Sequence, residues 1–206
     1  MRIFLIRHGQ TAWNTERRAQ GHSDIPLDAT GEQQVRLLAE TFHDRHLERV
    51  YTSDLKRSYD TASPLAKVTR AELVSTPLLR ERSFGEWEGK PYEAIRAGVL
   101  ASAVPSQEFV PPGGESMVQV HKRLVGWKDS LGMDHGNIAI VSHGGSCSLL
   151  LALFLGAPPS ASRSFSFANT GVTELSRRDD GYFQMVRYNS VEHLNEEARE
   201  SFGVIG

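Results

Sequence analysis

Ile3-Phe4-Leu5-Ile6-Arg7-His8-Gly9 and Ile138-Ala139-Ile140-Val141-Ser142-His143-Gly144-Gly145 share one pattern, a short apolar run ending in a polar turn that contains His-Gly. A continuous apolar run of this length is what a strand buried on both faces needs. Between the two runs the chain alternates. Residues 30–44 place Val35, Leu38, Ala39 and Phe42 on one helical face. Residues 49–52 read as a strand, and Ser53 reads as the N-cap of a helix through Arg57, Thr61 and Leu65, which Pro64 should kink or shorten. A further strand is expected over 72–75, short and longer helices over 92–98 and 115–131, and a buried helix over 146–155. Residues 85–91 and 105–114 are rich in turn formers. The last third, 165–188, holds two or three β-rich runs with Asp179-Asp180-Gly181 as a turn. The expected fold is an α/β, three-layer α/β/α sandwich with a mostly parallel central sheet and a small cap insertion, one domain over 1–206 with the cap at about 83–114. In such sheets ligands bind beyond the C-terminal ends of the strands, which makes His8 and His143 candidates for one site.

Composition narrows the class. The 206 residues are 39% hydrophobic and 23% charged, as in ordinary globular proteins, and suit a single core. The net charge of −2, from 23 basic and 25 acidic residues, argues against nucleic acid as a partner. The apolar run of residues 149–155 is far too short to span a bilayer, and the N-terminal run is too short for a signal peptide, so neither membrane nor export is expected. With one cysteine, Cys147, no internal disulfide can form, and a reducing, cytoplasmic location is expected.

Chemistry concentrates around His8. Arg7 precedes it, and Thr11 and Asn14 follow in a polar turn. Arginine offers a planar fork of donors matched to phosphate oxygens, and amide and backbone N–H groups add neutral ones. A neutral imidazole at the centre of such a cradle is a competent nucleophile toward phosphorus if its other nitrogen donates to an acceptor. Two rival chemistries fail. Cys147 is followed six positions on by Leu153, not by the arginine of a Cys-x5-Arg phosphatase, and Gly89-Lys90-Pro91 lacks the hydroxyl residue of a P-loop. His43 and His46 lack partners at metal-ligand spacing, so neither a metal nor a cofactor is expected. His22, His43, His46, His121, His135 and His193 read as surface or packing residues.

Arg7-His8-Gly9-Gln10-Thr11 with Trp13-Asn14 resembles the signature of the histidine phosphatase superfamily, the phosphoglycerate mutase-like fold. Gln20-Gly21 with Asp24, Pro26-Leu27 and Gly31 is similar to the family's next stretch. Thr52-Ser53-Asp54-Leu55-Lys56-Arg57 with Thr61-Ala62 resembles the segment that supplies a second phosphate-binding arginine, here Arg57. Leu79-Arg80-Glu81 with Phe84-Gly85-Glu86-Trp87-Glu88-Gly89 resembles the acid-bearing loop, and Pro112-Gly113-Gly114-Glu115-Ser116 and Ser142-His143-Gly144-Gly145 complete the series. The resemblance spans nearly the whole chain. It implies His8 as nucleophile, Glu81 as proton donor, chosen by motif over Glu86 and Glu88, and Arg7, Arg57 and His143 as phosphate-contacting residues. Asn14, Gln20, Gly21 and Gly144 would contact the substrate, a small phosphorylated metabolite. A general acid must hold its proton near neutral pH, which burial or a neighbouring phosphate can arrange.

The resemblance also admits two rivals. A cofactor-dependent mutase would share these residues but usually carries a longer cap with extra cations, whereas residues 90–114 hold only Lys90 and Arg96. The Gly85–Gly89 loop is more similar to the phosphatase branch, including broad-specificity and α-ribazole phosphatases. A non-catalytic phospholigand binder would have lost core residues, and none is missing. Specificity is expected from the cap and from Arg82 and Tyr92. Phe84, Trp87 and Phe109 are candidates for lining a pocket, although core packing is the commoner use of such residues. The tail 188–194 could return toward the site, and a homodimer is compatible with the resemblance.

Overall fold

A computed structural model describes residues 1–132 and 136–194, so that His135 lies outside the described residues. The chain forms β1 (Arg2–Arg7), the short α1 (Ala12–Thr15), α2 (Ala29–Glu40), β2 (Arg49–Ser53), α3 (Lys56–Thr69) and β3 (Glu72–Thr76). Then come α4 (Tyr92–Ala101), α5 (Met117–Ser130), β4 (Ile138–Ser142), α6 (Gly144–Phe154), β5 (Val172–Arg177) and β6 (Phe183–Ser190). The strands make one six-stranded sheet in the order β3-β2-β4-β1-β5-β6. Only β5 runs against the rest, antiparallel to both β1 and β6.

Strand periodicity divides the core into two layers. Ile3, Leu5, Ile138 and Ile140 point to one face, where Val120, Leu124 and Trp127 of α5 and Leu149, Leu150 and Leu151 of α6 cover them. Phe4, Ile6, Ala139 and Val141 point to the other, beneath Leu38 and Ala39 of α2 and Ala62, Leu65 and Ala66 of α3. Both faces of β1 and β4 are thus dry, which explains their unbroken apolar sequence. Among the described residues no helix is long and apolar enough to cross a membrane.

One local expectation is corrected. Helix α3 does not start on a Ser53 cap. Its N-cap is Leu55, with no side-chain cap, and the first helical N–H, of Lys56, donates instead to Asp24 Oδ1 at 2.7 Å. Ser53 Oγ accepts from the Leu55 N–H at 3.3 Å, just outside the helix. Pro64 lies inside the helix, as read from the sequence, and the helix continues past it to Thr69. An interior proline costs about 3 kcal/mol, and the burial of Ala62, Leu65 and Ala66 around it outweighs that cost.

Sheet order creates the site. Because β4 is inserted between β1 and β2, Arg7 pairs with Ser142, and the next residues of the two strands, His8 and His143, emerge side by side. The His8 N–H donates to the Ser142 carbonyl at 2.9 Å, which fixes that emergence.

Candidate active site

A cavity of about 470 Å³ opens at this strand edge. Its wall contains nine of the residues singled out from the sequence: His8, Glu81, Arg7, Arg57, His143, Asn14, Gln20, Gly21 and Gly144.

His8 is buried, and its ring centroid lies 5.1 Å from that of His143. His8 Nδ1 is 2.7 Å from the Gly9 carbonyl oxygen. A carbonyl can only accept, so Nδ1 carries the proton and the Nε2 lone pair is the free one. Burial, followed by the Arg57 and Arg7 guanidinia, pushes the imidazole well below the usual histidine value, against a smaller upward pull from the Gly9 bond. His8 is therefore neutral at ordinary pH. The loop that carries it is clamped: the Gly9 N–H donates to Thr61 Oγ1 at 3.0 Å, and the Gln10 N–H donates to Gln34 Oε1 at 2.9 Å. A Cβ on Gly31 would stand 2.1 Å from the Gln10 carbonyl oxygen, so only glycine lets the first turn of α2 seat against this loop.

The two arginines are anchored by main-chain carbonyls. Arg7 Nη1 donates to the Phe167 carbonyl at 2.7 Å. Arg57, fully buried in the first turn of α3, donates from Nη1 to the Ser23 carbonyl and from Nη2 to the Gly21 carbonyl, both at 2.8 Å. Carbonyls orient a guanidinium without neutralising it. Burial lowers Arg7 from its ordinary value and brings Arg57 down to about 10. The Nε atoms of Arg7 and Arg57 and both ring nitrogens of His143 are buried without a protein partner. Buried polar atoms seldom stay unpaired, and a convergent set of donors in one cavity marks an anion site. Burial, then Arg57, His8, Arg7 and Arg123, hold His143 well below the usual histidine value, so it too is neutral and offers one N–H.

Asn14 belongs to a capping box with Thr11, in which its Oδ1 accepts from the Thr11 N–H and hydroxyl at 3.1 and 3.0 Å. That leaves its Nδ2 as the amide end that can donate into the cavity. Gly21 has φ +52° and abuts Glu88 and the Phe84 backbone, where a Cβ would collide. Glu81 is the one of the three candidate carboxylates in the cavity wall. Its Oε1 accepts from the Arg82 N–H and its Oε2 from the Gly145 N–H at the start of α6, each at 2.9 Å. Glu86 is exposed, while Glu88 is an acceptor hub for the His22 N–H, the Ser23 hydroxyl and the Phe84 N–H.

One sequence reading changes, and others find their place. Arg82 does not face the cavity: it is a buried strut donating to the Glu115 and Phe109 carbonyls at 2.7 Å. Tyr92 does line the cavity. Phe84, Trp87 and Phe109 pack within the cap, with Trp87 against Phe109 at 5.1 Å between ring centroids. His22 packs against the acid loop, as a packing residue, with its Nε2 2.9 Å from the Glu81 carbonyl oxygen, where Arg123 Nη2 also donates. The tail returns beside the cavity wall: the Tyr188 hydroxyl donates to the Ser166 carbonyl, and His193 Nε2 lies 2.9 Å from Thr170 Oγ1. Asn169 was missed. Its Nδ2 donates to the His8 carbonyl at 2.9 Å, a contact that exists because β5 runs antiparallel and brings its start to the end of β1. Arg163, also missed, stands in the same wall.

Comparison with known proteins agrees with this geometry. A family model described as the histidine phosphatase superfamily (branch 1) matches residues 3–191. The chain is 32% identical over 203 residues to phosphoglycerate mutase-like protein 4 of Arabidopsis thaliana, covering 94% of this chain and 87% of that one. The crystal structure of the α-ribazole phosphatase from Shigella flexneri is similar with a TM-score of 0.83 and 27% identity, over 93% of this chain and 97% of that one. The mycobacterial glucosyl-3-phosphoglycerate phosphatase, in a structure with VO3, is similar with a TM-score of 0.77 and 30% identity, over 92% and 99% of the respective chains.

Proposed function

The chain belongs to the histidine phosphatase superfamily, with its phosphoglycerate mutase-like α/β fold, and on that premise we propose that it hydrolyses phosphomonoesters of small metabolites through a phosphohistidine at His8. The match over residues 3–191 also supports reading residues 1–206 as one domain, and the single thiol fits a cytoplasmic setting.

The observation that carries the reading is the His8 imidazole, proton pinned on Nδ1 by Gly9 and Nε2 left with its lone pair, in one cavity wall with Arg7 and Arg57, whose guanidinia donate to main-chain carbonyls. The phosphate of the ester sits among Arg7, Arg57, Asn14 and His143. Held there, it is presented to Nε2 in an oriented attack, and the fixed donors stabilise charge on its equatorial oxygens. An N–P bond forms as the P–O bond to the leaving group breaks, and Glu81 gives that oxygen its proton. In the second step the Glu81 carboxylate takes a proton from water as the water oxygen bonds to phosphorus and the N–P bond breaks. Inorganic phosphate leaves, with His8 neutral and Glu81 protonated again.

Rapid mixing with labelled substrate should give an acid-labile, base-stable phosphoprotein. Label on serine or aspartate, or none, removes His8 from this role. Glu81→Gln should slow alkyl phosphates far more than nitrophenyl phosphate, whose leaving group scarcely needs a proton; equal losses point to another acid. The mutase reading draws on the name of the Arabidopsis relative. Against it, the cap cations Lys90 and Arg96 lie outside the cavity wall. Interconversion of 2- and 3-phosphoglycerate without phosphate release would establish it instead.

A further inference from the structure

Residues 78–81 lead from β3 to the acid outside the sheet, yet each of their four carbonyls receives a side-chain donor. Arg123 Nη1 donates to Leu78, Ser142 Oγ to Leu79 and Ser146 Oγ to Arg80, at 2.8, 2.7 and 2.7 Å. Glu81 takes two: Arg123 Nη2 donates to its carbonyl at 2.8 Å, and His22 Nε2 lies 2.9 Å from the same oxygen. A carbonyl can only accept, so Nε2 carries the proton of the His22 ring. The two donors come from separate parts of the chain, Arg123 from α5 and His22 from the loop after α1.

What they orient is the peptide unit that joins Glu81 to Arg82. Its carbonyl is held by Arg123 and His22, and its N–H donates to the Oε1 of Glu81 itself at 2.9 Å. A peptide unit is planar, so turning the carbonyl swings the N–H away from the carboxyl group it holds. The other oxygen, Oε2, accepts from the Gly145 N–H at 2.9 Å. One donor leaves the carbonyl free to rock about it, whereas two from separate elements fix the plane. His22 is itself anchored by its main chain. Its N–H donates to Glu88 Oε1 at 2.8 Å, and the carbonyls on either side of it, of Gly21 and Ser23, are the ones that orient Arg57.

We propose that His22 is a positioning residue for the acid: by holding the Glu81–Arg82 peptide it keeps the Glu81 carboxyl group aimed at the leaving oxygen. This rests on the function proposed above, in which Glu81 protonates that oxygen. His22 stands outside the cavity wall, so its ring reaches the substrate only through Glu81. Its ties to Arg57 run through the main chain, and replacing the ring spares them. Loss of the ring therefore weakens proton donation and leaves the phosphate cradle in place.

The test compares kcat/KM for an alkyl phosphate and for nitrophenyl phosphate, whose leaving group scarcely needs a proton. This ratio reports departure of the leaving group and not the later hydrolysis of phosphohistidine. His22→Ala should lower kcat/KM about 10- to 100-fold for the alkyl ester and by no more than about threefold for nitrophenyl phosphate. His22→Gln, whose amide nitrogen can reach the place of Nε2, should recover most of the alkyl activity. In Glu81→Gln protein, adding His22→Ala should cost less than about a further twofold on the alkyl ester, because the group it positions is gone. Parallel losses on both esters overturn the proposal, by making His22 a support of the phosphate cradle or of the fold. An unaffected alkyl ester overturns it too, as does full additivity with Glu81→Gln. Should Glu81→Gln itself slow both esters equally, the acid assignment falls first, and this proposal falls with it.

Discussion

The floor of the cavity and its roof use charge in opposite ways. On the floor, Arg7 and Arg57 lean on the carbonyls of Phe167, Ser23 and Gly21, so their charges are oriented and left available. In the roof, charged side chains hold one another and the loop backbone. Arg123 pairs with Glu115 at 3.1 Å and donates to the Leu78 and Glu81 carbonyls. Glu115 accepts from the Ser83 N–H, and Glu88 gathers His22, Ser23 and Phe84. Charges that must meet a ligand are kept unneutralised by dipoles alone, whereas charges that only fold a loop are paired off.

Two replacements put the largest strain on this contrast. His8→Ala should lower hydrolysis of nitrophenyl phosphate by about 10⁴-fold or more, since it removes the group that bonds to phosphorus. Glu115→Gln should cost about 1–3 kcal/mol of stability through the partly orphaned Arg123, yet lower activity by only about tenfold. Steady-state rates and urea unfolding of both proteins measure this. A Glu115 variant as inactive as the His8 variant would erase the distinction.

Two glycines sharpen it. A Cβ at Gly31 would meet the Gln10 carbonyl under the His8 loop at 2.1 Å. At Gly85, with φ +53°, it would meet the Pro112 carbonyl in the roof at the same distance. Each alanine should cost about 1–3 kcal/mol, by overpacking at both and left-handed strain at Gly85. Their kinetics should diverge, with Gly31→Ala lowering kcat on every substrate and Gly85→Ala chiefly raising KM.

Acid should find the floor first. His8 and His143 are both depressed, mainly by burial, so below about pH 6.5 the unfolded chain binds protons that the native state refuses. Their contribution is fully present above that pH and is lost as pH falls, with a slope of up to about 1.4 kcal/mol per pH unit for each group. Urea midpoints between about pH 6.5 and 5 should fall steeply in the unmodified protein and roughly half as steeply in His143→Gln. An unchanged slope would mean that His143 takes up its proton freely.

The smallest effect belongs to the brace between floor and roof. Arg80, next to Glu81, grips both oxygens of Asp54 at 2.7 and 2.6 Å, with both side chains about a third exposed. The Arg80 hydrogen bond holds the Asp54 carboxyl below its ordinary value, so the pair persists to pH values under the usual carboxylate range and does not share the histidine window. Asp54→Asn should change thermal stability by less than about 1 kcal/mol. A larger loss would show floor and roof to be coupled.

Much of this was legible in the chain. The unbroken runs at Ile3 and Ile138 announced strands covered on both faces, and the His-Gly turns after them marked the ligand edge. The helix boundary before Arg57 was not legible, because the cap comes from Asp24, far away in sequence, and not from the nearby Ser53. The role of Arg82 was not legible for a related reason: whether a side chain faces a cavity or a neighbouring carbonyl depends on where other loops pass.

By itself, the sequence determined the layered α/β plan, because a short strand buried on both sides must be apolar throughout, and it marked the residues able to handle phosphate. Only the tertiary structure decided that β4 lies between β1 and β2, setting His8 beside His143. It alone ran β5 antiparallel so that Asn169 reaches the His8 carbonyl, and brought Arg163 from a distant turn to the rim. Local pattern reports which surfaces must avoid water. Which distant groups then converge is set by strand order and direction, and those come from packing of the whole chain.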